Sequence, residues 1–146
     1  MGARIVAIDC DRATLSFIAD LLNDEGYEVY CFLGHQINAG EIQAIQPDLV
    51  LLEFDHQNSD ATFMLLNQLR TFPATRTTPI MVSSTDSRLL EVFAALLRPL
   101  GCTTVVKPFD LDQLLIGIAQ AILHNDCANL YDTARQLMGS NDFIMH

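Results

Sequence analysis

Apolar residues arrive along this chain in short continuous runs, separated by longer stretches in which they recur at helical spacing. The run Arg4-Ile-Val-Ala-Ile-Asp9 closes on an acid and reads as a buried strand. Over residues 11–25, Leu15, Ile18 and Leu22 repeat on one helical face with Phe17 and Leu21 beside them. Gly26 follows where a helix-terminating glycine belongs. Residues 27–33 are aromatic and β-branched and predict a second strand. Residues 38–46 predict a short helix halted before Pro47. Residues 48–54 form a third, strongly apolar strand, and Phe63, Leu66 and Leu69 support a helix over 60–71. A fourth strand is predicted over 79–83, a helix over 86–98, and a short β-branched strand over 103–106. The last helix of this series covers 110–124, with a stripe of Leu111, Leu114, Leu115, Ile118 and Ile122.

The order is therefore βαβαβαβαβα. Continuous apolar strands alternating with helices predict a doubly wound, five-stranded parallel α/β sheet covered on both faces, with right-handed crossovers. No internal repeat, low-complexity segment or interdomain linker interrupts it. Residues 1–124 make up this domain, and residues 125–146 extend past it. In the extension Leu130, Tyr131, Ala134, Leu137 and Met138 recur at helical spacing, with Gly139 placed to end the helix. This extra C-terminal helix is expected either to pack back over the fourth helix or to prolong the fifth.

Composition narrows the function classes. Of 146 residues, 50% are hydrophobic, too many for a disordered polar chain. Eighteen acidic against eight basic residues give a formal charge of −10, and no basic cluster is present to meet nucleic-acid phosphates. No apolar run reaches the roughly 18 residues of a membrane span, and the N-terminus lacks the features of a signal peptide, so a cytoplasmic protein is expected. Cys10, Cys31, Cys102 and Cys127 form no C-x-x-C pair and read as reduced thiols, and His35, His56, His124 and His146 share no ligand spacing.

In doubly wound sheets chemistry gathers at the carboxyl ends of the strands. Strand one ends in Asp9-Cys10-Asp11, strand three in Glu53-Phe54-Asp55, strand four in Ser83-Ser84-Thr85, and strand five in Lys107-Pro108-Phe109. Acids, hydroxyls and the single lysine of the chain thus meet on one rim. With Pro47-Asp48-Leu-Val-Leu-Leu-Glu53, Pro79-Ile-Met-Val-Ser83-Ser84 and Gly101 before Lys107-Pro108-Phe109, residues 3–124 resemble the receiver domains of two-component response regulators. The resemblance implies the flavodoxin-like receiver fold and a sensor kinase as partner. It implies a phosphoacceptor aspartate ending strand three, a Mg²⁺-binding acidic pair ending strand one, and a Ser/Thr ending strand four. It further implies a strand-five lysine that pairs with the phosphoryl charge, followed by a proline after a cis peptide bond. Asp9, Ser84, Lys107 and Pro108 keep that pattern.

Three positions depart from it. Glu53 stands at the acceptor position, Cys10 replaces the second acid of the pair, and Thr104 occupies the place of the switch aromatic that works with Ser84. Glutamate carries its carboxylate about 1.5 Å further out than aspartate, and misplacement of about 1 Å can cost roughly 10²-fold in rate. Mg²⁺ demands hard oxygen ligands, and a thiol is soft. The expectation is a degenerate pseudo-receiver with no catalytic residue and no required cofactor, in which Lys107 neutralises Glu53 and Asp9. At most, Mg²⁺ binds weakly to Asp9, Glu53 and Asp55, with Asp11 nearby. A fixed Glu53 facing Lys107 would partly imitate a phosphorylated aspartate.

Two other functions fit parts of the pattern. A working Mg²⁺-dependent phosphoacceptor would use Glu53 or Asp55. Asp9-Cys10-Asp11 also spells the D-x-D of haloacid-dehalogenase-type phosphatases, with Asp9 as nucleophile, but strand five ends in Lys107-Pro108 where that family offers acids. Ser84 has a plainer role available as the cap of the helix starting near Asp86. For partners, the fourth helix is apolar almost all round. Leu89, Leu90, Phe93, Leu96 and Leu97 are the expected interface, either for a homodimer through the helix-four to helix-five face or for another signalling protein.

Overall fold

The computed structural model describes residues 2–34, 37–54 and 56–138. Five strands, β1 (Arg4–Asp9), β2 (Glu28–Leu33), β3 (Leu49–Glu53), β4 (Ile80–Ser84) and β5 (Cys102–Val106), alternate with α1 (Arg12–Asp24), α2 (Ala39–Ile45), α3 (Ser59–Thr71), α4 (Ser87–Leu97) and α5 (Leu111–Met138). Single turns of 3₁₀ helix precede α3 (His56–Asn58) and follow α4 (Arg98–Leu100). All strand pairs are parallel, in the order β2-β1-β3-β4-β5. This is the doubly wound parallel sheet that the alternation predicts, in the flavodoxin-like receiver form that the resemblance implies. The order reverses between β1 and β3, so the crevice for ligands opens above the ends of those two strands.

Alternate strand residues feed two cores, because side chains on a strand point to opposite faces. Val6, Ile8, Val50, Leu52, Ile80 and Val82 pack under α2, α3 and α4. Ile5, Ala7, Leu49, Leu51 and Met81 pack under α1 and α5, against Leu15, Ile18, Leu22, Leu114 and Ile118. The helix starts follow local chemistry. Asp11 accepts from the Ala13 N–H to open α1, and Asn38 and Glu41 form a reciprocal capping box on α2. Gly26 ends the α1 turn at φ 91°, a conformation other residues rarely adopt.

Residues 125–138 prolong the fifth helix, one of the two arrangements expected: α5 runs unbroken from Leu111 to Met138, since no glycine or proline stands between Gly117 and Gly139 to stop it. Residues 139–146 lie outside the described residues. Two expectations change. The interface assigned to α4 is corrected. Leu89, Leu90 and Leu97 are buried in the α2–α4 core, as the inward stripe of an amphipathic helix must be, and cannot meet a partner. Phe93 packs against Phe54 and Phe63, leaving Leu96, 55% exposed, and Val92, 73% exposed, on the outside. Finally, Asp86 and not Ser84 caps α4. The Asp86 carboxylate accepts from the Arg88 and Leu89 N–H groups, and Ser84 Oγ accepts from the Asp86 N–H at 3.1 Å.

Candidate functional site

The rim residues arrive on three strand ends, those of the neighbours β1 and β3 and that of β5, which lies beyond β4. Asp9 is the last residue of β1 and is 3% exposed. Glu53 is the last residue of β3 and half-buried. Lys107 follows β5, placed there by its backbone N–H donating to the Ser84 carbonyl at 2.8 Å, and the Lys107–Pro108 peptide is cis. The lysine ammonium bridges both acids: it donates to Asp9 Oδ2, and to Glu53 Oε2 at 2.9 Å.

The remaining carboxylate oxygens are taken as well. Asp9 Oδ1 accepts from the Asp11 N–H at 3.0 Å, and Glu53 Oε1 accepts from the Cys10 N–H at 3.0 Å. Partial burial alone would raise the Glu53 pKa. Hydrogen bonds from the Cys10 side chain and backbone and from Lys107 outweigh burial, and the carboxyl sits below the ordinary glutamate value. Burial likewise opposes the Lys107 charge, yet its bonds to Asp9 and Glu53 hold its pKa above the ordinary lysine value. Two carboxylates and one ammonium leave the cluster with one net negative charge.

The other rim residues divide by role. Cys10 is exposed and contributes hydrogen bonds to Glu53. Asp11 turns to the start of α1, where its bonds from the Thr14 hydroxyl and the Ala13 N–H hold its carboxyl below the usual range. Its side chain is thus committed to a helix cap and not paired with Asp9 as a D-x-D catalyst would need. Ser84 is buried at the end of β4. Thr104 is exposed on β5 opposite Val82, and with Pro108 it lines an open groove of about 1170 Å³ between β5 and α5, away from the acids. Asp55 lies outside the described residues.

A receiver fold implies Mg²⁺ held by strand-end acids. Among the described residues the donors do not fit that ion: each oxygen of Asp9 and Glu53 already accepts from an N–H group or the lysine, and Cys10 offers a soft thiol. Among the described residues no group of three His, Cys, Asp or Glu side chains is arranged to hold a metal.

Sequence reasoning missed two features, one beside this rim and one at the opposite, amino end of the parallel sheet. Phe54, directly after Glu53, is fully buried and meets Phe63 and Phe93 edge-on at 5.3 and 5.2 Å, tying the end of β3 to α3 and α4. Arg70 at the end of α3 donates to the carbonyls of Thr75, Arg76, Thr78, Leu100 and Gly101, binding the loop before β4 to the turn before β5. The apolar run of β3 could have signalled the first. Nothing local signals the second, because its acceptors lie on segments that meet only in the folded chain.

No family model and no curated protein matches the chain. Solved structures do. A sensor protein from Polaromonas sp. JS666 aligns at 22% identity and TM-score 0.68, over 84% of this chain and 98% of its own. The chemotaxis response regulator CheY4 of Vibrio cholerae aligns at 20% identity and TM-score 0.69, over 83% and 99%. NtrX from Brucella abortus, in complex with ATP, aligns at 22% identity and TM-score 0.77, over 90% of this chain but 29% of its own, so the chain spans under a third of that protein's length. No described helix is long and apolar enough to cross a membrane. With the reversed strand order, the acids ending β1 and β3 and the lysine before a cis proline, the chain has the fold of a response-regulator receiver domain.

Proposed function

We propose that this chain is a receiver-like signalling module of a two-component pathway, acting through protein–protein contacts, whose conventional aspartyl phosphorylation has been lost. One observation carries the reading: the Lys107 ammonium is bound by both Asp9 and Glu53, so the charge that would meet an incoming phosphoryl group already has its anions. Phosphoryl transfer depends mainly on positioning and charge stabilisation. Here the carboxylate at the acceptor position is one methylene too long and is turned onto the lysine, and among the described residues no group of three possible metal ligands stands beside it. The protein is a signalling module and not an enzyme, with a sensor kinase or another signalling protein as partner. Val92 and Leu96 of α4 with Val106 of β5 offer it exposed apolar contacts. Glu53 facing Lys107 stands in for a phosphorylated aspartate and holds one state.

Incubating the protein with acetyl phosphate and Mg²⁺ and reading its intact mass tests the loss of phosphorylation. The expected result is an unchanged mass. A stoichiometric phosphoryl adduct that disappears in Glu53→Ala would establish the working-acceptor alternative instead. For the fixed state, Glu53→Gln is expected to alter the amide chemical shifts at the ends of β4 and β5. Shifts that change only at residue 53 and its immediate neighbours would end the phosphomimic reading.

A further inference from the structure

The α5 helix is 28 residues long, about 42 Å at 1.5 Å per residue, and only its first half has a sheet to lie on. Leu114 and Ile118 bury that inner face. On the opposite side, two residues or about 200° further round, a second apolar line begins. Ile116, Leu123, Leu130 and Leu137 recur every seven residues and are 55, 65, 70 and 82% exposed. Cys127 and Ala134 fall between them, so that 123, 127, 130, 134 and 137 alternate steps of four and three. That is the a/d repeat of a coiled coil, with Leu123, Leu130 and Leu137 at d and the smaller Cys127 and Ala134 at a.

We propose that this outer seam of α5 pairs with the same seam of a second copy of the chain, as a parallel, in-register two-stranded coiled coil. A heptad seam is complementary to itself about a two-fold axis, since each knob needs the hole its own twin supplies. Charge in the seam does not oppose the same occupant. Two copies each carrying −10 repel, yet a and d positions from 116 to 137 hold no charged residue, and the flanking e and g positions hold one carboxylate, Asp126. The ionic residues Asp132 and Arg135 stand outside the seam. Helix length adds a further reason. Beyond Asn125 every residue of α5 except Ala134 is exposed, so the receiver body gives this stretch no packing, and most helical stability in proteins comes from packing an amphipathic face. Gln120, at an a position beside the receiver body, would set the register, as single polar a residues do. The assignment does not depend on the phosphorylation state of the rim.

Sedimentation equilibrium of the full chain at micromolar concentration is expected to give twice the monomer mass, and a monomer throughout would overturn the proposal. Leu130→Glu with Leu137→Glu lies outside the receiver core. It should weaken the dimer by more than about tenfold, through burial of charge in the seam, while thermal unfolding of the receiver portion stays as in the parent. A dimer of unchanged affinity would show that another face carries it. Register is tested with diamide, which oxidises two thiols to a disulfide and takes up their two electrons and two protons. In a parallel pair Cys127 faces Cys127 of the second copy, close enough for the roughly 7 Å Cα limit of a disulfide. A cross-linked dimer mapped to Cys127 by peptide mass, and lost in Cys127→Ser, is expected. A dimer that resists cross-linking there would overturn the parallel register.

Discussion

Lys107 is the only lysine in the chain, and two carboxylates depend on it. An ammonium is a compact point charge on a flexible stem, able to satisfy two separate oxygens that a planar guanidinium would meet less well. Removing it leaves Asp9 buried and Glu53 half-buried without a cation, inside a protein already at −10. Lys107→Met should therefore destabilise by about 3–5 kcal/mol, the usual cost of stranding one side of a buried pair. Pairing it with Glu53→Gln should recover part of that loss, because one of the stranded charges is gone. Urea midpoints of the two variants check both statements, and a single-variant loss below about 1 kcal/mol would reduce the bridge to a solvent-screened contact. The sequence places Asp9, Glu53 and Lys107 on one rim because each ends or follows a recognisable apolar strand. It does not show that all four carboxylate oxygens are occupied, since two of the donors are backbone N–H groups of Cys10 and Asp11.

At the level of elements, what braces the sheet is less visible in the sequence than the sheet itself. Strands were legible because a buried parallel strand is a continuous apolar run. On α4 the same property misled: an apolar run on a helix shows no inward side until Leu89, Phe93 and Leu97 are traced at steps of four. Arg70 was illegible for a different reason. Its guanidinium serves five carbonyls from two loops, and burial lowers its pKa without any carboxylate beside it. Arg70→Met keeps the apolar stem but strands those acceptors, and hydrogen bonds to charged groups are worth about 1.5–3 kcal/mol each. A loss of at least about 3 kcal/mol in urea unfolding is expected. Lysine should not rescue it, because an ammonium cannot span the Leu100 and Thr78 carbonyls as the planar fork does. Full stability in Arg70→Lys would mean that the charge alone matters.

Across the whole molecule, the rim cluster sets how stability responds to pH. Glu53 has a folded pKa below its unfolded value of about 4.3. Its stabilisation is therefore complete above that value and is lost as pH falls through the lowered folded pKa, where the unfolded chain binds the proton first. Lys107 behaves in the opposite sense. Its folded pKa lies above the unfolded value of about 10.4, so its contribution is complete below that and is lost as pH rises through the raised one. Between about pH 5 and pH 10 both contributions are intact, and the bridge should add a constant amount to stability. Repulsion within the −10 chain acts on the parent and on Glu53→Gln almost equally, so the difference between the two isolates the bridge. That difference, taken from urea midpoints, should hold steady from about pH 6 to about pH 8. It should shrink steadily below about pH 4.3, because a protonated Glu53 carries no more charge than the amide that replaces it in the variant. A difference that persists undiminished to about pH 2.5, below the folded pKa range of bridged carboxylates, would mean that Glu53 stabilises the rim by shape and not by its charge on Lys107.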